Sequence, residues 1–455
     1  PPPPPPLFSS RRRHTRYSLQ SRGLGDVYKR QGMCTTFLAY KIVDLLQKQK
    51  TEFLDFPRLI RFNPNIPWKT RGNGAVSIRI KTDNVSKVKN QIKNLVLKFS
   101  DTQNGANPGL VFFESNSIPS EFVNFSEMAL WQLINRNKAK RFAKKNNIEF
   151  FYQGNGQGLV GAIGAIGYTF EDHTLELLSY RKKPKFGKER KISKESVKIM
   201  QEKTSPNTFN SFDTKKGRIL ITPHGPDPVF YGVRGENVDS LVYATKILKS
   251  NEKLDGYMIF KSNQGTGDHL KNELNFETMK PYASGKITGI VSNLPKITKG
   301  GHVFFKILSK NHEFWCAVYK PTGISTVASN LIKGDKILVG GGVRKASKNF
   351  PRIINLEFIE VIQLKKNIST TNPLCNKCNK KMKSKGKNQG FQCISCGKKS
   401  SKKTSIEISR KIQKQLYLPK ISAHRHLTRP KQRLGKTNTA SKFDKSLSWF
   451  CVYRN

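Results

Sequence analysis

Four cysteines toward the C-terminal end have the spacing of a metal site. They form two Cys-x2-Cys pairs, Cys375 with Cys378 and Cys393 with Cys396, separated by a gap of 14 residues. Four thiolates paired in this way close a tetrahedral Zn²⁺ site on two short turns. The rival interpretation, a pair of disulfides, is weaker because the other cysteines are scattered singly. The pattern therefore predicts a zinc ribbon.

The cysteines lie in a strongly basic chain. The formal net charge is +51 over 455 residues, and residues 371–455 contain 22 Lys and Arg against two acids. Phosphate contacts that release counterions accommodate such a charge most easily. The alternative is a lysine-rich composition with a solvated surface. Composition thus favours RNA or DNA as the partner.

The lengths of the apolar runs and the pairing of the cysteines limit the class of protein further. No apolar run approaches the ~20 residues that a membrane helix requires, so no membrane association is expected. Paired thiols indicate a reducing compartment, and the cytoplasm is the expected location.

A short loop in the first part of the chain has the composition of a phosphate site. The run from Lys69 to Gly74, KTRGNG, follows the segment from Phe56 to Pro67, which three prolines keep extended. Converging N–H groups next to cations are what a polyphosphate needs. The loop is not a Walker A motif, because its order and spacing differ. Taken alone, it is equally consistent with an ordinary tight turn.

Two threonines at a helix start are a second candidate. Thr35 and Thr36 precede an apolar-periodic segment, where threonine usually acts as an N-cap. A reactive role would require neighbouring carboxylates that hold Mg²⁺ close to a phosphoryl group. The residues immediately upstream contain no such cluster.

The elements that must position these groups indicate a multidomain α+β protein. Apolar periodicity predicts helices from Cys34, over 84–100 and over 125–146. The glycine-rich run 154–164 lacks the acidic residue of a dinucleotide fingerprint and predicts a close helix–sheet approach instead. Five short strands with glycine-rich turns predict an OB-type β-barrel between 284 and 364. The predicted strands are 286–292, 302–308, 313–319, 336–341 and 353–362.

The first 31 residues differ in character from the remainder. They begin with six prolines and show no apolar periodicity. We interpret 1–31 as a non-native or disordered leader and exclude it from the fold.

Several motifs together are similar to one family. The chain resembles the archaeal 2-agmatinylcytidine synthetases of the minor isoleucine tRNA, the TiaS family, over residues 32–455. The run from Phe56 to Gly74 is long enough to be highly specific. The other segments that carry the resemblance are Gly32–Thr36, Gly156–Ala162, Gly225–Val229, Gly232–Gly235, Asn263–Thr266 and Ala423–Pro430.

The resemblance implies a reaction. An enzyme of this family uses ATP to phosphorylate the C2 carbonyl oxygen of the anticodon wobble cytidine. The primary amine of agmatine then displaces the phosphate, and the modified tRNA reads AUA codons. ATP, Mg²⁺ and Zn²⁺ are the implied cofactors, agmatine and the minor isoleucine tRNA are the implied partners, and no protein partner is predicted.

The resemblance also implies a domain order. A kinase-like α/β domain is expected at 32–146 and a ferredoxin-like domain at 147–281, and the two may interleave. The OB-type barrel at 284–366, the zinc ribbon at 372–400 and a basic tail at 401–455 would bind tRNA.

Site residues are assigned on the same basis. The predicted catalytic residues are Thr35, the family's autophosphorylated threonine, with Lys69 and Arg71 for phosphate stabilisation. The ATP and cytidine site is expected to contain Arg58, Arg61, Asn63, Thr70, Gly72, Asn73 and Gly74. Carboxylates that could hold the guanidinium of agmatine are Asp172, Asp227 and Asp268. Candidate tRNA contacts are Phe314, Trp315, Arg344, Arg425 and Arg429.

One departure from the family bears on activity. The family carries an Asp-Asp-Thr-Asp-Ser cluster just before the Gly-Met-Cys-Thr-Thr motif, whereas Val27–Gln31 contains no carboxylate. We therefore expect the chain as printed to bind tRNA and zinc but to be inert or severely impaired. The alternative function is a non-catalytic OB and zinc-ribbon nucleic-acid-binding protein.

Overall fold

The computed structural model describes residues 34–69, 72–100, 102–103, 105–348, 351–439 and 443–453. The predicted leader 1–31, Thr70 and Arg71 lie outside these residues. The helices are, in chain order, α1 Thr35–Lys48, α2 Val85–Phe99, α3 Ser120–Trp131, α4 Arg136–Lys145, α5 Gly158–Gly167, α6 Lys194–Thr204, α7 Val238–Ile247 and α8 Ser325–Ala328. None of the described helices is long and apolar enough to cross a membrane.

The strands are short in several regions of the chain. They are, in chain order, β1 Glu52–Phe53, β2 Arg58–Arg61, β3 Gly74–Ser77, β4 Ile80–Lys81, β5 Gly109–Phe112, β6 Glu149–Tyr152, β7 Thr174–Arg181, β8 Thr208–Phe209, β9 Phe212–Asp213, β10 Arg218–Ile219, β11 Val229–Gly235, β12 Leu254–Ser262, β13 Ser284–Val291, β14 Lys296–Ile297, β15 Val303–Ser309, β16 His312–Val318, β17 Lys336–Arg344, β18 Ile353–Gln363, β19 Ile368–Thr371, β20 Lys383–Ser384, β21 Phe391–Gln392, β22 Lys399–Ser400, β23 Thr404–Glu407, β24 Leu416–Tyr417 and β25 Phe450–Val452.

The chain divides into two compact units. The first runs to Lys286 and adds Gly340–Arg352 and the residues from Leu418 onward. The second comprises Ile287–Val339 and Ile353–Tyr417.

A mixed sheet is the centre of the first unit. Its strand order is β3-β2-β12-β7-β11-β8, with β25 paired to β12. The β12–β2 pair is parallel, and β7, β11 and β25 run antiparallel to their partners. Strand β7 is buried at every position, as expected for a strand covered on both faces. The sheet contains strands from both predicted ranges 32–146 and 147–281, and one from the predicted basic tail.

Aromatic side chains join the C-terminal segment to this sheet. Trp449 is 4% exposed and packs edge-on against Phe53 at a centroid distance of 5.3 Å. The ring of Tyr40 on α1 stacks on Tyr180 of β7 at 4.6 Å. The segment 443–451 therefore contributes to the core of the first unit.

Glycines permit the close packing of α5, as the glycine-rich run predicted. A Cβ at Gly158 would lie 2.4 Å from the backbone nitrogen of Gly109 at the start of β5. A Cβ at Gly167 would lie 1.9 Å from the carbonyl oxygen of Phe122. Any larger side chain at either position would force the helix away from its neighbours.

The prediction of one helix over 125–146 is wrong. The structure contains two helices, α3 and α4, and the chain is extended at Gln132. The side chain of Asn135 accepts a hydrogen bond from the N–H of Asn137 at 2.8 Å and so caps α4.

A five-stranded barrel forms the main part of the second unit, as predicted. Strands β13, β17, β18, β16 and β15 are neighbours in that order, and β13 also pairs with β15, which closes the barrel. Burial alternates along β15, where Val303, Phe305 and Ile307 are the buried residues. The buried carboxylate of Asp335 accepts from Arg410 at 2.6 Å and thereby fixes the segment that follows the ribbon.

Candidate active site

A cavity of about 200 Å³ lies in the first unit at the start of α1. Its walls come from α1, β2, β7, β11, the loop before β3, the segment 209–229 and the C-terminal segment. The lining residues with charged, imidazole or hydroxyl groups are Thr35, Thr36, Arg61, Glu176, Thr222, Asp227, Arg234 and His426. The site is therefore assembled from residues far apart in the sequence.

The N-terminus of α1 opens on this cavity. Its N-cap residue, Cys34, makes no side-chain capping hydrogen bond, and the first turn contains no acidic residue. Thr35 is 7% exposed, and within the described part of the chain its Oγ1 has no hydrogen-bond partner. The hydroxyl of Tyr180 donates to the carbonyl of Thr36 at 2.9 Å and holds this end of the helix. Uncapped N–H groups and a buried hydroxyl suit an anionic ligand.

A buried glutamate separates two arginines in the cavity wall. Glu176 on β7 and Arg234 on β11 are direct cross-strand partners, with Oε1 3.3 Å from Nε. Oε2 lies 3.7 Å from Nη2 of Arg61 and accepts a hydrogen bond from the side chain of Gln264. Because Glu176 is only 4% exposed, its charge is balanced by these neighbours and not by solvent. The two guanidinium groups are thereby held at the cavity.

Arg61 is also positioned through its backbone. The side chain of Asn263 accepts from the N–H of Arg61 at 2.8 Å and donates to its carbonyl at 3.0 Å. A Cβ at either Gly72 or Gly74 would lie 2.8 Å from Nη1 of Arg61. The glycines of the KTRGNG run therefore make room for this guanidinium.

Asp227 lies in another part of the wall, beside apolar residues of the segment 220–223. It is fully buried, and its Oδ1 accepts from the N–H of Val229 at 3.1 Å. Nη2 of Arg190 lies 3.5 Å from the same oxygen. Of the three carboxylates proposed for agmatine, Asp227 is the one that lines the cavity.

The other two carboxylates lie in separate contacts. Asp172 is 3% exposed, and Arg429 and Arg433 each approach one of its oxygens at 2.7 Å. Asp268 accepts from the hydroxyl of Tyr168 and lies 2.9 Å from Nζ of Lys271. The geometry does not bring either carboxylate to the cavity wall.

Lys69 does not line the cavity. Its Nζ donates to the carbonyl of Ile66 at 3.1 Å. Burial and the nearby charge of Arg425 lower the pKa of Lys69 to about 8. Its predicted companions Thr70 and Arg71 lie outside the described residues.

Three other predicted residues support the site from outside it. Nη2 of Arg58 pairs with Asp55 at 2.8 Å. The fully buried Asn63 donates to the carbonyl of Tyr282 at 2.8 Å. Asn73 has a left-handed φ of 49° and donates to the carbonyl of Asn63 at 3.0 Å. These contacts shape the strands around Arg61.

The candidate tRNA contacts have different environments. Phe314 is 5% exposed and shares its strand face with the buried Cys316 and Val318, which corrects its prediction as a base-stacking residue. Trp315 points the other way and is half-buried, with Nζ of Lys306 5.1 Å from its ring centroid. Strand alternation alone could not decide which of the two faces outward.

The candidate arginines are only partly exposed. Nη1 of Arg425 donates to the side chain of Asn65 at 2.7 Å. Nη2 of Arg429 donates to Asp172 at 2.7 Å. Arg344, at the end of β17, is half-buried. Their roles toward tRNA stay predictions.

Three cavity residues with charged or imidazole groups were not predicted from the sequence. Glu176, Arg234 and His426 line the cavity but were not assigned to the site. Arg234 and His426 lie in segments that carry the family resemblance, whereas Glu176 is a lone acid in an apolar strand. A charged residue in a strand buried at every position was the available signal for Glu176.

The four ribbon cysteines meet in space, as their spacing predicted. Their sulfur atoms all lie within 4.8 Å of one another. Left-handed residues, Asn379 at φ 49° and Gly397 at φ 74°, follow the two pairs, and each donates its N–H to the first cysteine of its pair. N–H groups of the first turn lower the pKa of Cys375 to about 6. Four sulfurs at this separation fit tetrahedral Zn²⁺.

Family models match three parts of the chain. The TiaS TCKD domain matches residues 23–88, the TiaS FLD domain matches 156–269, and the TiaS C-terminal zinc ribbon domain matches 372–412. The first match begins inside the segment 1–31 that the sequence analysis set aside.

Two curated relatives cover nearly the whole chain. The isoleucine-tRNA 2-agmatinylcytidine synthetase TiaS of Cenarchaeum symbiosum is 44% identical, over 95% of this chain and 96% of that protein. The protein of the same name from Thermococcus sibiricus is 38% identical, over 90% and 94% respectively.

Solved structures agree with these relatives. The crystal structure of TiaS in complex with its isoleucine tRNA and ATP superposes with a TM-score of 0.80 at 33% identity, covering 91% of this chain and 97% of that one. A complex of TiaS with the same tRNA, AMPCPP and agmatine gives 0.77 at 31% identity with the same coverage.

Proposed function

This chain belongs to the family of isoleucine-tRNA 2-agmatinylcytidine synthetases, TiaS, and we propose that it uses ATP to join agmatine to C2 of the wobble cytidine of the minor isoleucine tRNA. The enzyme is a ligase that forms a C–N bond. The observation that carries the proposal is the cavity that is lined by an uncapped helix N-terminus, two arginines and the hydroxyl of Thr35, which has no partner among the described residues.

The cationic part of the cavity is assigned to the phosphates of ATP. Arg61 and Arg234 present guanidinium groups, and the first turn of α1 adds N–H groups. Charge-assisted hydrogen bonds of this kind contribute about 1.5–3 kcal/mol each. We assign Thr35 as the catalytic residue, because it lines the same cavity as these cations and its buried hydroxyl has no partner among the described residues.

The chemical steps follow from the reactivity of the base. The C2 carbonyl oxygen of cytidine forms a bond to a phosphorus atom of ATP while the bond from that phosphorus to the rest of the nucleotide breaks, and the nucleotide leaves. The phosphoryl group turns the C2 oxygen into a leaving group. The primary amine of agmatine then forms a bond to C2, the C2–O bond breaks, and the phosphate departs with the oxygen. The amine loses a proton in this step.

We assign the other end of agmatine to Asp227. A guanidinium needs a carboxylate, and Asp227 is the candidate acid that lines the cavity. Apolar residues of the segment 220–223 beside it suit the methylene chain of agmatine. Asp172 and Asp268 are then structural.

The domain roles follow the family. Residues 32–146 would form the kinase-like part and 147–281 the ferredoxin-like part, sharing the sheet of the first unit. The barrel, the ribbon and the basic tail at 401–455 would bind tRNA by contacting its phosphates and recognising its shape. A tRNA substrate supports the cytoplasm as the location of the enzyme.

The two implied metals fit the described residues differently. The four ribbon cysteines suit Zn²⁺, which would stabilise the ribbon without taking part in chemistry. Among the described residues, the cavity acids Glu176 and Asp227 each lie beside an arginine, and this does not fit a Mg²⁺ site. The Mg²⁺ expected from the family is therefore assigned no ligand here.

A ligation assay tests the proposal. Transcribed minor isoleucine tRNA, ATP and labelled agmatine are incubated with the chain as printed and with a version carrying an Asp-Asp-Thr-Asp-Ser cluster before Gly32. We expect the second version to form product only when ATP and agmatine are both present, and the first to be inert or severely impaired.

The controls separate this function from a binding protein. A tRNA whose wobble cytidine is replaced by uridine should bind but give no product. ATP consumption that does not depend on agmatine or tRNA in either version would contradict the synthetase assignment.

A further inference from the structure

The C-terminal segment after the ribbon is fastened to the loop that follows β12. The N–H of Gly265 donates to the carbonyl of His426 at 2.9 Å, and the N–H of Gly267 donates to the carbonyl of Leu427 at 2.8 Å. Nε of Arg429 donates to the carbonyl of Thr266 at 3.0 Å. Residues 426–429 therefore follow the path of this loop.

A buried ion-pair cluster fixes the next turn of the segment. Asp172 accepts from Arg429, from Arg433 and, at 2.9 Å, from the N–H of Asn438. Arg433 is fully buried, and its Nε also donates to Glu236 at 2.7 Å. Because a buried charge separated from its partner is costly, this cluster holds the segment in place.

This anchoring delivers one side chain into the cavity. Nδ1 of His426 lies 2.8 Å from Oε1 of Gln264 and 2.9 Å from Nη2 of Arg234. A Cβ at Gly72 would lie 2.3 Å from Cδ2 of the imidazole. The ring therefore occupies space that the glycine leaves open.

Through Gln264, the contacts of His426 continue to the charged residues of the cavity wall. Gln264 donates to Glu176, and Glu176 lies between Arg234 and Arg61. Burial and the two arginines lower the pKa of His426 well below its ordinary value, so the ring is neutral. A neutral ring with its proton on Nδ1 donates to Oε1 of Gln264 and lies beside Arg234 without adding a third positive charge to this wall.

We propose that His426 is a positioning residue: from the C-terminal segment, its Nδ1 donates to Gln264, which in turn keeps Glu176 between the two arginines so that both guanidinium groups face the ATP phosphates. This inference rests on the proposed function of the cavity. It makes the segment after the ribbon part of the nucleotide site.

The test uses variants that keep a polar group at the position of one or the other ring nitrogen. Asn places a polar group near the position of Nδ1, whereas Gln places one near Nε2. His424→Ala is the matched control, since His424 lies two residues away and contacts Asn210 and the carbonyl of Pro419. Fluorescent ATP binding and the melting temperature are measured for the full chain.

We expect His426→Ala and His426→Gln to weaken ATP binding about 10-fold, which corresponds to one lost hydrogen-bonding contact. His426→Asn should bind within about threefold of the parent chain, and His424→Ala should bind like the parent. The melting temperatures of His426→Asn and His426→Gln should be equal. Equal ATP affinities for the Asn, Gln and Ala variants would overturn the positioning role.

Arg234→Ala separates failure of this inference from failure of the proposed function. If Arg234→Ala weakens ATP binding and His426→Ala does not, the positioning role alone is overturned. If Arg234→Ala and Arg61→Ala both bind ATP like the parent, the nucleotide assignment fails and the inference with it.

Discussion

The zinc ribbon and the cavity are built on opposite principles. All four sulfur ligands come from residues 375–396, and each pair sits on a single tight turn. The cavity instead joins residues from Cys34 to His426, which are brought together by β2, β7, β11 and the C-terminal segment. A local site can be recognised from spacing, whereas a site of this second kind exists only when the surrounding sheet is formed.

The two regions also differ in what stabilises them. The buried side chains of the ribbon are two cysteines with Met382 and Phe391, too few to form a stable core alone. The first unit has an extensive core of aromatic and aliphatic residues from α1, β7, β12 and the C-terminal segment. Loss of the metal should therefore unfold the ribbon but not the cavity.

The largest expected effect is on the ribbon. Cys393→Ser removes one of four ligands, and structural zinc contributes about 10–16 kcal/mol to the folding of such modules. We expect the protein to lose its zinc and to bind tRNA more weakly, with ATP binding unchanged. Metal analysis, tRNA gel shifts and fluorescent ATP binding provide the measurements.

Cys451→Ser is the control for this change, because Cys451 lies on β25, outside the ribbon. It should keep its zinc. If Cys393→Ser abolished ATP binding as well, the two regions would not be independent in the way proposed.

The next effect concerns the ion-pair cluster that anchors the C-terminal segment. Asp172→Asn removes the carboxylate shared by Arg429 and Arg433 and leaves the buried Arg433 with Glu236 alone, and breaking a buried pair costs about 3–5 kcal/mol. We expect a clear fall in the melting temperature measured by calorimetry. Glu171→Gln is the matched control, since this neighbouring carboxylate is exposed and should change little.

Equal melting temperatures for Asp172→Asn and Glu171→Gln would contradict this role. A loss of ATP affinity in Asp172→Asn at a temperature where the variant is folded would sharpen the comparison. It would show that the cavity depends on an ion pair between two residues that are more than 250 positions apart in the sequence, Asp172 and Arg433.

The smallest effect concerns Lys69. Its pKa of about 8 in the free protein reflects burial and the charge of Arg425. Lys69 does not line the cavity but lies three residues before the wall residue Gly72, so a triphosphate that extends from the cavity to Lys69 would raise this pKa. Binding would then take up a proton, and ATP affinity would fall as pH rises through 8 and above. The slope is at most about tenfold per pH unit, or about 1.4 kcal/mol.

Lys69→Arg provides the control, because a guanidinium stays charged throughout this range. Its ATP affinity should be independent of pH between about 8 and 9.5. A parent chain with the same flat profile would place Lys69 away from the phosphates.

The sequence predicted the parts of the molecule that depend on local pattern. Cysteine spacing predicted the zinc site, five short strands predicted the barrel, and the apolar period from Cys34 predicted α1. The break between α3 and α4 was missed, because the capping role of Asn135 competes with an otherwise helical pattern.

The cavity was only partly predictable. Thr35, Arg61 and Asp227 were proposed from family motifs, but no local signal distinguished Asp227 from Asp172 or Asp268. Glu176 reaches the site because β7 pairs with β11, and His426 reaches it because the C-terminal segment packs on the loop after β12. Both contacts join residues that are far apart in the sequence. The family resemblance suggested that Arg429 contacts tRNA, whereas in the structure its guanidinium pairs with Asp172.

The most direct test of the account compares two buried threonines. Thr35→Val removes a hydroxyl that has no partner among the described residues, so it should not lower the melting temperature. Thr204→Val on α6 removes a hydroxyl that donates to the carbonyl of Met200 at 2.6 Å, so it should lower stability by about 1 kcal/mol.

Ligation of agmatine to tRNA is then measured in the version that carries the acidic cluster before Gly32. We predict that Thr35→Val loses at least about 100-fold in rate, as expected when a group at the reacting phosphate is removed. Thr204→Val should retain the parent rate at a temperature where it is folded. A Thr35→Val enzyme that ligates agmatine at the parent rate would contradict the assignment of this cavity as the active site.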